Sequence, residues 1–264
     1  MKLHHLLLAA LLACASAAHA DVTVITTTAG KASIVNVGGQ NANLIKGNRM
    51  RTDSQISGHD DSLIIDIDGR RFVNIDAKKS SAVITPLASI SDQLAKVGVG
   101  TLSATLKKTA QVKNVAGYSC TVHDITVTVP FSVTGHPGDG MDLNMLMSGT
   151  VCLSTDAPGL ADYQQFYRAS ADSGFIFGDP RAVKSPTGAA QAKAYAELTR
   201  KMAEAGMALE SHVTISATGD NPMAGMMAKL AASDITTTVT QITVGELSAD
   251  QFDVPAGYKV KTQK

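Results

Sequence analysis

Cys120 and Cys152 stand almost evenly about the hexapeptide GHPGDG at residues 135–140. No other feature restricts the possible folds of the chain so tightly. Gly, Pro and Asp at this density mark a turn. If the turn closes a hairpin with Cys120 opposite Cys152, the same register sets Ile125 opposite Met147, Val127 opposite Met145, Val129 opposite Leu143 and Phe131 opposite Met141. Each of those pairs is apolar on both sides, whereas a slip of one residue mixes them with Asp142, Asn144 and Ser148. The expectation is a disulfide between neighbouring antiparallel strands, worth about 3–4 kcal/mol in the chain-entropy account. A nucleophilic thiol would need a base. His123, three residues from Cys120, points to the opposite face of an unbroken strand, although the apolar parity changes between Val122 and Ile125 and a bulge there would alter this.

A disulfide presupposes an oxidising compartment, and the first twenty residues read as the route to one. Lys2 supplies a positive start, residues 6–13 form an apolar run too short to span a bilayer, and Ala18-His19-Ala20 places small residues before Asp21. Residues 1–20 are thus read as a signal peptide cut after Ala20, and the protein as periplasmic or secreted. The alternative is a lipoprotein anchored through Cys14 in Leu11-Leu12-Ala13-Cys14. No transmembrane span is expected in the rest of the chain. The 23 basic residues balance 23 acidic ones, which argues against a nucleic-acid partner.

Residues 21–264 are dominated by the alternation of half-buried strands. Asp68-Gly69 suggests a type I′ turn that sets Asp66 opposite Arg71 and Ile65 opposite Phe72. Helical period appears in ISDQLAKVG (90–98), in TGAAQAKAYAELTRKMAEAG (187–206) with Tyr195, Leu198, Met202 and Ala205 on one face, and in NPMAGMMAKLAAS (221–233). The expected fold is a single α+β domain, a strongly curved antiparallel β-sheet or half-barrel with helices covering the concave face.

Candidate chemistry outside the cysteines is thin. GHDDS places His59 beside Asp60 and Asp61, and GHPGDGMD places His136 near Asp139 and Asp142, but both read as Gly- and Asp-rich turns. His212 falls on the polar side of a strand. No HExxH, GxSxG, Walker or GxGxxG pattern occurs. The expectation is no metal, no cofactor and no enzymatic activity. With no Trp and few aromatics, the ten methionines are the strongest bias. Met141, Met145 and Met147 share a strand face, while Met223, Met226 and Met227 share a helix face with Leu230. They are either core filler or the wall of an adaptable apolar cavity formed by Val127, Met145, Met147, Met223, Met226, Met227 and Leu230.

Three stretches carry a resemblance: KGNRMRTD (46–53), VCLSTDAPGLADYQQF (151–166) and FDVPAGYKV (252–260). With the strand order, they make the chain resemble the LolA/LolB superfamily of bacterial lipoprotein carriers, and more nearly a family of uncharacterised secreted bacterial proteins placed with it. The resemblance implies a half-barrel over helices whose concave face holds acyl chains. The lack of Trp and a helical insertion around 160–210 depart from that pattern. The resulting expectation is a non-enzymatic protein binding a lipid or acyl chain between sheet and helices. The alternatives are an envelope interaction or scaffold protein with a packed core, and an enzyme with an unrecognised site. N-terminal sequencing of exported protein is expected to read from Asp21; a lipid-modified Cys14 would support the anchored alternative.

Overall fold

The computed structural model describes residues 21–32, 35–87, 103–133, 141–173, 186–218 and 232–263. Residues 1–20 and the helical pattern at 90–98 lie outside the described residues, as do His136, Asp139 and residues 221–231 of the helical pattern at 221–233, whose last residue, Ser233, opens β11. The described chain is mostly strand: β1 (Val22–Ala32), β2 (Val35–Lys46), β3 (Arg49–Ile56), β4 (His59–Asp66), β5 (Arg71–Asp76), β6 (Ser81–Pro86), β7 (Ser103–Val115), β8 (Tyr118–Val133), β9 (Met141–Ser154), β10 (Met207–Thr218), β11 (Ser233–Val244) and β12 (Lys259–Thr262). Among the described residues two helices, α1 (Leu160–Asp172) and α2 (Pro186–Ala205), fall between β9 and β10. All twelve strands belong to one open, curved sheet in the order β12-β6-β5-β4-β3-β2-β1-β11-β10-β9-β8-β7. Its pairs are antiparallel except β12 with β6, which run parallel.

Tight turns set most of the registers. Ser57 (φ 53°) with Gly58 (φ 79°), and Ala116 (φ 50°) with Gly117 (φ 88°), each supply the two positive-φ residues that a two-residue hairpin of right-handed twist requires. The second of these turns divides NVAGYSC, so its Asn114 and Val115 end β7 and its Tyr118 opens β8. The first lies just before GHDDS, and His59, Asp60 and Asp61 therefore stand in β4 rather than in a turn. At Asp68-Gly69 the expected register is found, with Asp66 opposite Arg71 and Ile65 opposite Phe72. The turn itself differs. Ile67 O accepts from Arg70 N at 3.1 Å, and Arg70 (φ 50°) takes the left-handed position. Gly69 is needed there for space, because an added Cβ would run into the Asp66 carboxylate. That carboxylate accepts from Gly69 N at 2.8 Å and from Arg71 Nε at 2.9 Å.

The hairpin of β8 and β9 carries the disulfide, Cys120–Cys152, with a Cα separation of 5.3 Å. Its register is two residues away from the expected one: Val122 faces Cys152, Val127 faces Met147, Val129 faces Met145, Phe131 faces Leu143 and Val133 faces Met141. A two-residue shift keeps every side chain on its face, so apolar matching could not distinguish the two registers. The ladder ends at Thr121 opposite Leu153, and the disulfide crosses diagonally just beyond it. The parity change in β8 is no bulge against β9. Val151, Cys152 and Leu153 are all buried, so this part of the hairpin is covered on both faces. Register shifts occur instead in β7 between Lys108 and Val112, and in β10 between Ala208 and Glu210.

Helix α1 starts at Gly159, whose φ of 72° turns the chain off β9. Its Tyr163 and Phe166 pack with Val22, Ile45, Met50, Ile65 and Phe72 in one cluster, which also takes in the disulfide. Ala194 and Leu198 of α2 pack with Ile125, Val127, Met147, Val151 and Leu153 in a second. Tyr195, Met202 and Ala205 lie against that cluster, consistent with the face expected from their spacing. A third cluster, Ile64, Val73, Ile75 and Ala82, meets Val254 and Tyr258 of the C-terminal segment on the other side of β4 and β5.

That segment crosses from β11 to the far edge of the sheet. It is held at Asp21, whose carbonyl accepts from Gly245 N at 3.0 Å and whose carboxylate accepts from Leu247 N at 2.8 Å and Lys46 Nζ at 2.6 Å. Further on, Arg49 lies 5.1 Å above the Phe252 ring, and Arg51 Nη1 donates to Gln251 O at 2.9 Å. On α1, Ser170 continues the stripe of Tyr163, Phe166 and Tyr167 but is fully buried with no hydrogen-bond partner for its Oγ. Ser170→Ala removes that unpaired hydroxyl, and chemical denaturation is expected to show a gain of about 1 kcal/mol.

Candidate functional site

The face of the sheet beneath α1 changes character along its strands. In chain geometry it carries Ile45, Asn43 and Asn41 on β2, and Met50, Thr52 and Ser54 on β3. On β4 it carries Ile65, Leu63 and Asp61, and on β5 Phe72, Asn74 and Asp76. The registers align these residues into three cross-strand rows. The row Ile45, Met50, Ile65, Phe72 is buried against α1. The row Asn43, Thr52, Leu63, Asn74 continues through Val83 on β6 to Lys261 on β12. The row Asn41, Ser54, Asp61, Asp76 ends at Ser81 and Lys259.

The second and third rows floor a groove. One part, of 290 Å³, lies beside Met50, Ile65 and Tyr167. A larger part, of 810 Å³, reaches Asp76, Lys79, Val83 and Lys261. Ser54, Asp61, Leu63 and Asn74 line both parts, so the groove is continuous. Its polar floor is cross-linked: Thr52 Oγ1 donates to Asn43 Oδ1 at 2.8 Å, and Ser54 Oγ donates to Asn41 Oδ1 at 2.6 Å. At the polar end Lys79 Nζ donates to Asp76 Oδ2 at 2.6 Å. That hydrogen bond holds the Asp76 carboxyl below the usual range and raises the Lys79 ammonium.

At the apolar end Tyr163 and Tyr167 stack with ring centroids 4.3 Å apart, and the Tyr167 hydroxyl donates to Met50 Sδ at 3.8 Å. Burial pushes the Tyr163 phenol up to about 12, against the pull of hydrogen bonds at Ala208 and Tyr167. Burial, with the neighbouring Tyr163, also pushes the Tyr167 phenol well up.

The residues expected to wall an apolar cavity are only partly described. Val127 and Met147 are buried against α2, and Met145 lies at the edge of the same cluster. Met223, Met226, Met227 and Leu230 lie outside the described residues. None of the three described residues lines the groove. The groove residues Met50, Leu63, Asn74, Tyr167 and Lys261 escape a reading that follows each strand for its apolar positions alone. The signal is present in RMRTDSQI and in HDDSLIID, where every second residue passes from apolar to polar in step with the neighbouring strand.

Of the histidines, His212 Nε2 lies 2.9 Å from Asp234 Oδ1 on an exposed surface, and His123 Nδ1 lies 2.9 Å from Thr121 O. No group of three His, Cys, Asp or Glu positioned to hold a metal occurs among the described residues. The groove offers hydrogen-bonding and apolar surface together, which suits holding an amphiphilic molecule.

No family model matches the chain, and no curated protein matches it. Among solved structures, an uncharacterized conserved protein from Thermus thermophilus is similar at a TM-score of 0.39 and 8% identity, over 93% of this chain and 92% of that one. So distant a likeness assigns neither fold nor function.

The buried phenols make a measurable demand on pH. A phenol that ionises near 10.0 in the unfolded chain and near 12 in the fold contributes stability that is present below pH 10 and lost as pH rises toward 12. For Tyr163 the loss is about 2–3 kcal/mol. Denaturation midpoints of wild type and Tyr163→Phe, compared between pH 9 and pH 12, are expected to diverge by that amount, with the wild type losing more.

Proposed function

We propose that this chain is a non-enzymatic, periplasmic or secreted protein that binds a lipid or acyl chain along the groove. The single observation that carries the reading is the graded face: a fully packed apolar row under α1 gives way, row by row, to a groove with Leu63, Ile65, Met50 and Tyr167 at one end and charged groups at the other. Apolar contacts supply affinity and a few placed polar groups set orientation in such a site. The resemblance of KGNRMRTD and FDVPAGYKV to the LolA/LolB carriers points the same way. The bonded cysteines fit an oxidising compartment, and no helix among the described residues is long and apolar enough to cross a membrane.

The packing of Val127 and Met147 beneath α2 favours a second reading, an envelope scaffold whose methionines are plain core. One experiment separates the two. Wild-type protein titrated with a fluorescent long-chain fatty acid is expected to bind it. Leu63→Asn should weaken binding about tenfold, the worth of one partly buried leucine contact, and lower the melting temperature by only a few degrees, since Leu63 packs at the edge of the cluster beneath α1. A wild type that binds no apolar probe, and that carries no lipid by native mass spectrometry when purified from its own host, would sink the carrier reading and leave the scaffold.

A further inference from the structure

The groove has two unlike ends, and its length and charges restrict what can lie in it. The row from Asn43 on β2 to Lys261 on β12 crosses five inter-strand steps. At the usual strand spacing that is about 24 Å, the reach of a long acyl chain lying across the strands rather than along one of them. At the α1 end stand Met50, Ile65 and Tyr167.

The charges collect at the other end and do not cancel. Asp76 is engaged by Lys79 at 2.6 Å. The Lys79 ammonium also feels the Asp61 carboxylate across the hairpin, so this one lysine answers two acids. Lys259 and Lys261, both exposed on β12, have no ion-pair partner among the described residues. Lys79 and Lys261 line the groove with the two carboxylates, and Lys259, in register with Ser81 beside it, adds a third ammonium at the outer edge. Lys46, Lys113 and Lys201, by contrast, are paired with Asp21, Glu210 and Glu197. The unengaged positive charge on β12 thus coincides with one mouth of an otherwise amphipathic groove.

We propose that the groove selects amphiphiles with an anionic head group, held at Lys261, with the chain running toward Met50 and Tyr167. This rests on the lipid-binding reading and adds to it a direction and a charge. A carboxylate or phosphate head accepts hydrogen bonds from the ammonium at Lys261, while Asp61 and Asp76 disfavour an anion seated deeper in the groove. An anion is therefore stopped at the mouth, which leaves the length of the floor for the chain.

The test uses the full mature protein and four ligands of equal chain length: a fatty acid, an alkyl phosphate, a fatty alcohol and an alkyl trimethylammonium. Each displaces a neutral fluorescent alkyl probe at low salt and pH 8. Wild type is expected to bind both anions roughly threefold to tenfold more tightly than the alcohol, the worth of a solvent-exposed charge pair, and the cation less tightly than the alcohol. The advantage should shrink in high salt. Between the anions, tighter binding of the alkyl phosphate identifies a phospholipid source, and tighter binding of the carboxylate a free fatty acid. Lys261→Gln should level acid and alcohol, and Lys261→Glu should favour the cation, each affinity being read as a ratio to that of the alcohol in the same variant. If all four ligands bind wild type equally and Lys261→Glu changes nothing, the head-group assignment is overturned while the carrier reading stands. If the neutral probe itself does not bind, the carrier reading falls and the assignment with it.

Discussion

Successive side chains of a β-strand leave on opposite faces, and the rest of this structure depends on how β3 uses that constraint. Met50 points into the cluster beneath α1 and touches the Tyr167 hydroxyl, while Arg49 and Arg51 on either side of it point the other way and grip the C-terminal segment at Phe252 and Gln251. One three-residue stretch thus joins both layers to the sheet. Arg51 is itself held, because its Nε donates to Asp53 Oδ1 at 2.8 Å and Ser62 Oγ donates to the same oxygen at 2.5 Å. A lysine in place of Arg51 would lose the planar fork that reaches several acceptors at once, and one in place of Arg49 would lose the flat cation over the Phe252 ring. The stretches KGNRMRTD and FDVPAGYKV, far apart in the chain, are therefore two halves of one contact.

The opposite end of the sheet solves a different problem. β8 and β9 must be covered on both faces where Val151, Cys152 and Leu153 succeed one another, and each face belongs to a different cluster. A continuous apolar run is what such two-sided burial looks like in sequence. The disulfide sits where the β8–β9 ladder ends, and it ties strands whose neighbours β7 and β10 both shift register nearby. Lys113 of β7 and Glu210 of β10 form an ion pair across this region. Covalent closure at that place holds together strands that backbone pairing alone leaves interrupted.

What could be read from the residues follows from which signals are local. The hairpin register at Ile65 and Phe72 was legible because a short turn leaves no freedom, even though the turn type was not: Asp66 folds its carboxylate over Gly69, and a side-chain acceptor of this kind is invisible to a dipeptide rule. The pairing of Cys120 with Cys152 was legible, but its register was off by two, because the matching of apolar faces repeats every two residues. Helix α1 was legible only as part of the helical insertion expected around 160–210: Asp162 and Ser170 among its buried positions obscured its own period, although Tyr163, Phe166 and Tyr167 carried it. The helical residues proposed for the cavity wall lie outside the described residues, so that part of the expectation rests on its spacing alone.

The groove was the least legible feature, for a reason that also bears on its role. A sheet face evolved only to pack would stay apolar along the whole covered length, because each buried apolar side chain contributes about 1.5–3 kcal/mol. Here four adjacent strands abandon that gain in register: Ile45, Met50, Ile65 and Phe72 give way to Asn43, Thr52, Leu63 and Asn74, where only β4 stays apolar, and then to Asn41, Ser54, Asp61 and Asp76, where none does. Thr52 and Ser54 each satisfy an asparagine carbonyl on β2, so the polar rows are organised locally rather than left to solvent. No single strand shows this, since a polar residue at an inward position of one strand reads as an edge or an error. Only the alignment of four strands turns it into a surface, one with a packed apolar end, an ordered polar floor and two unengaged lysines at its mouth.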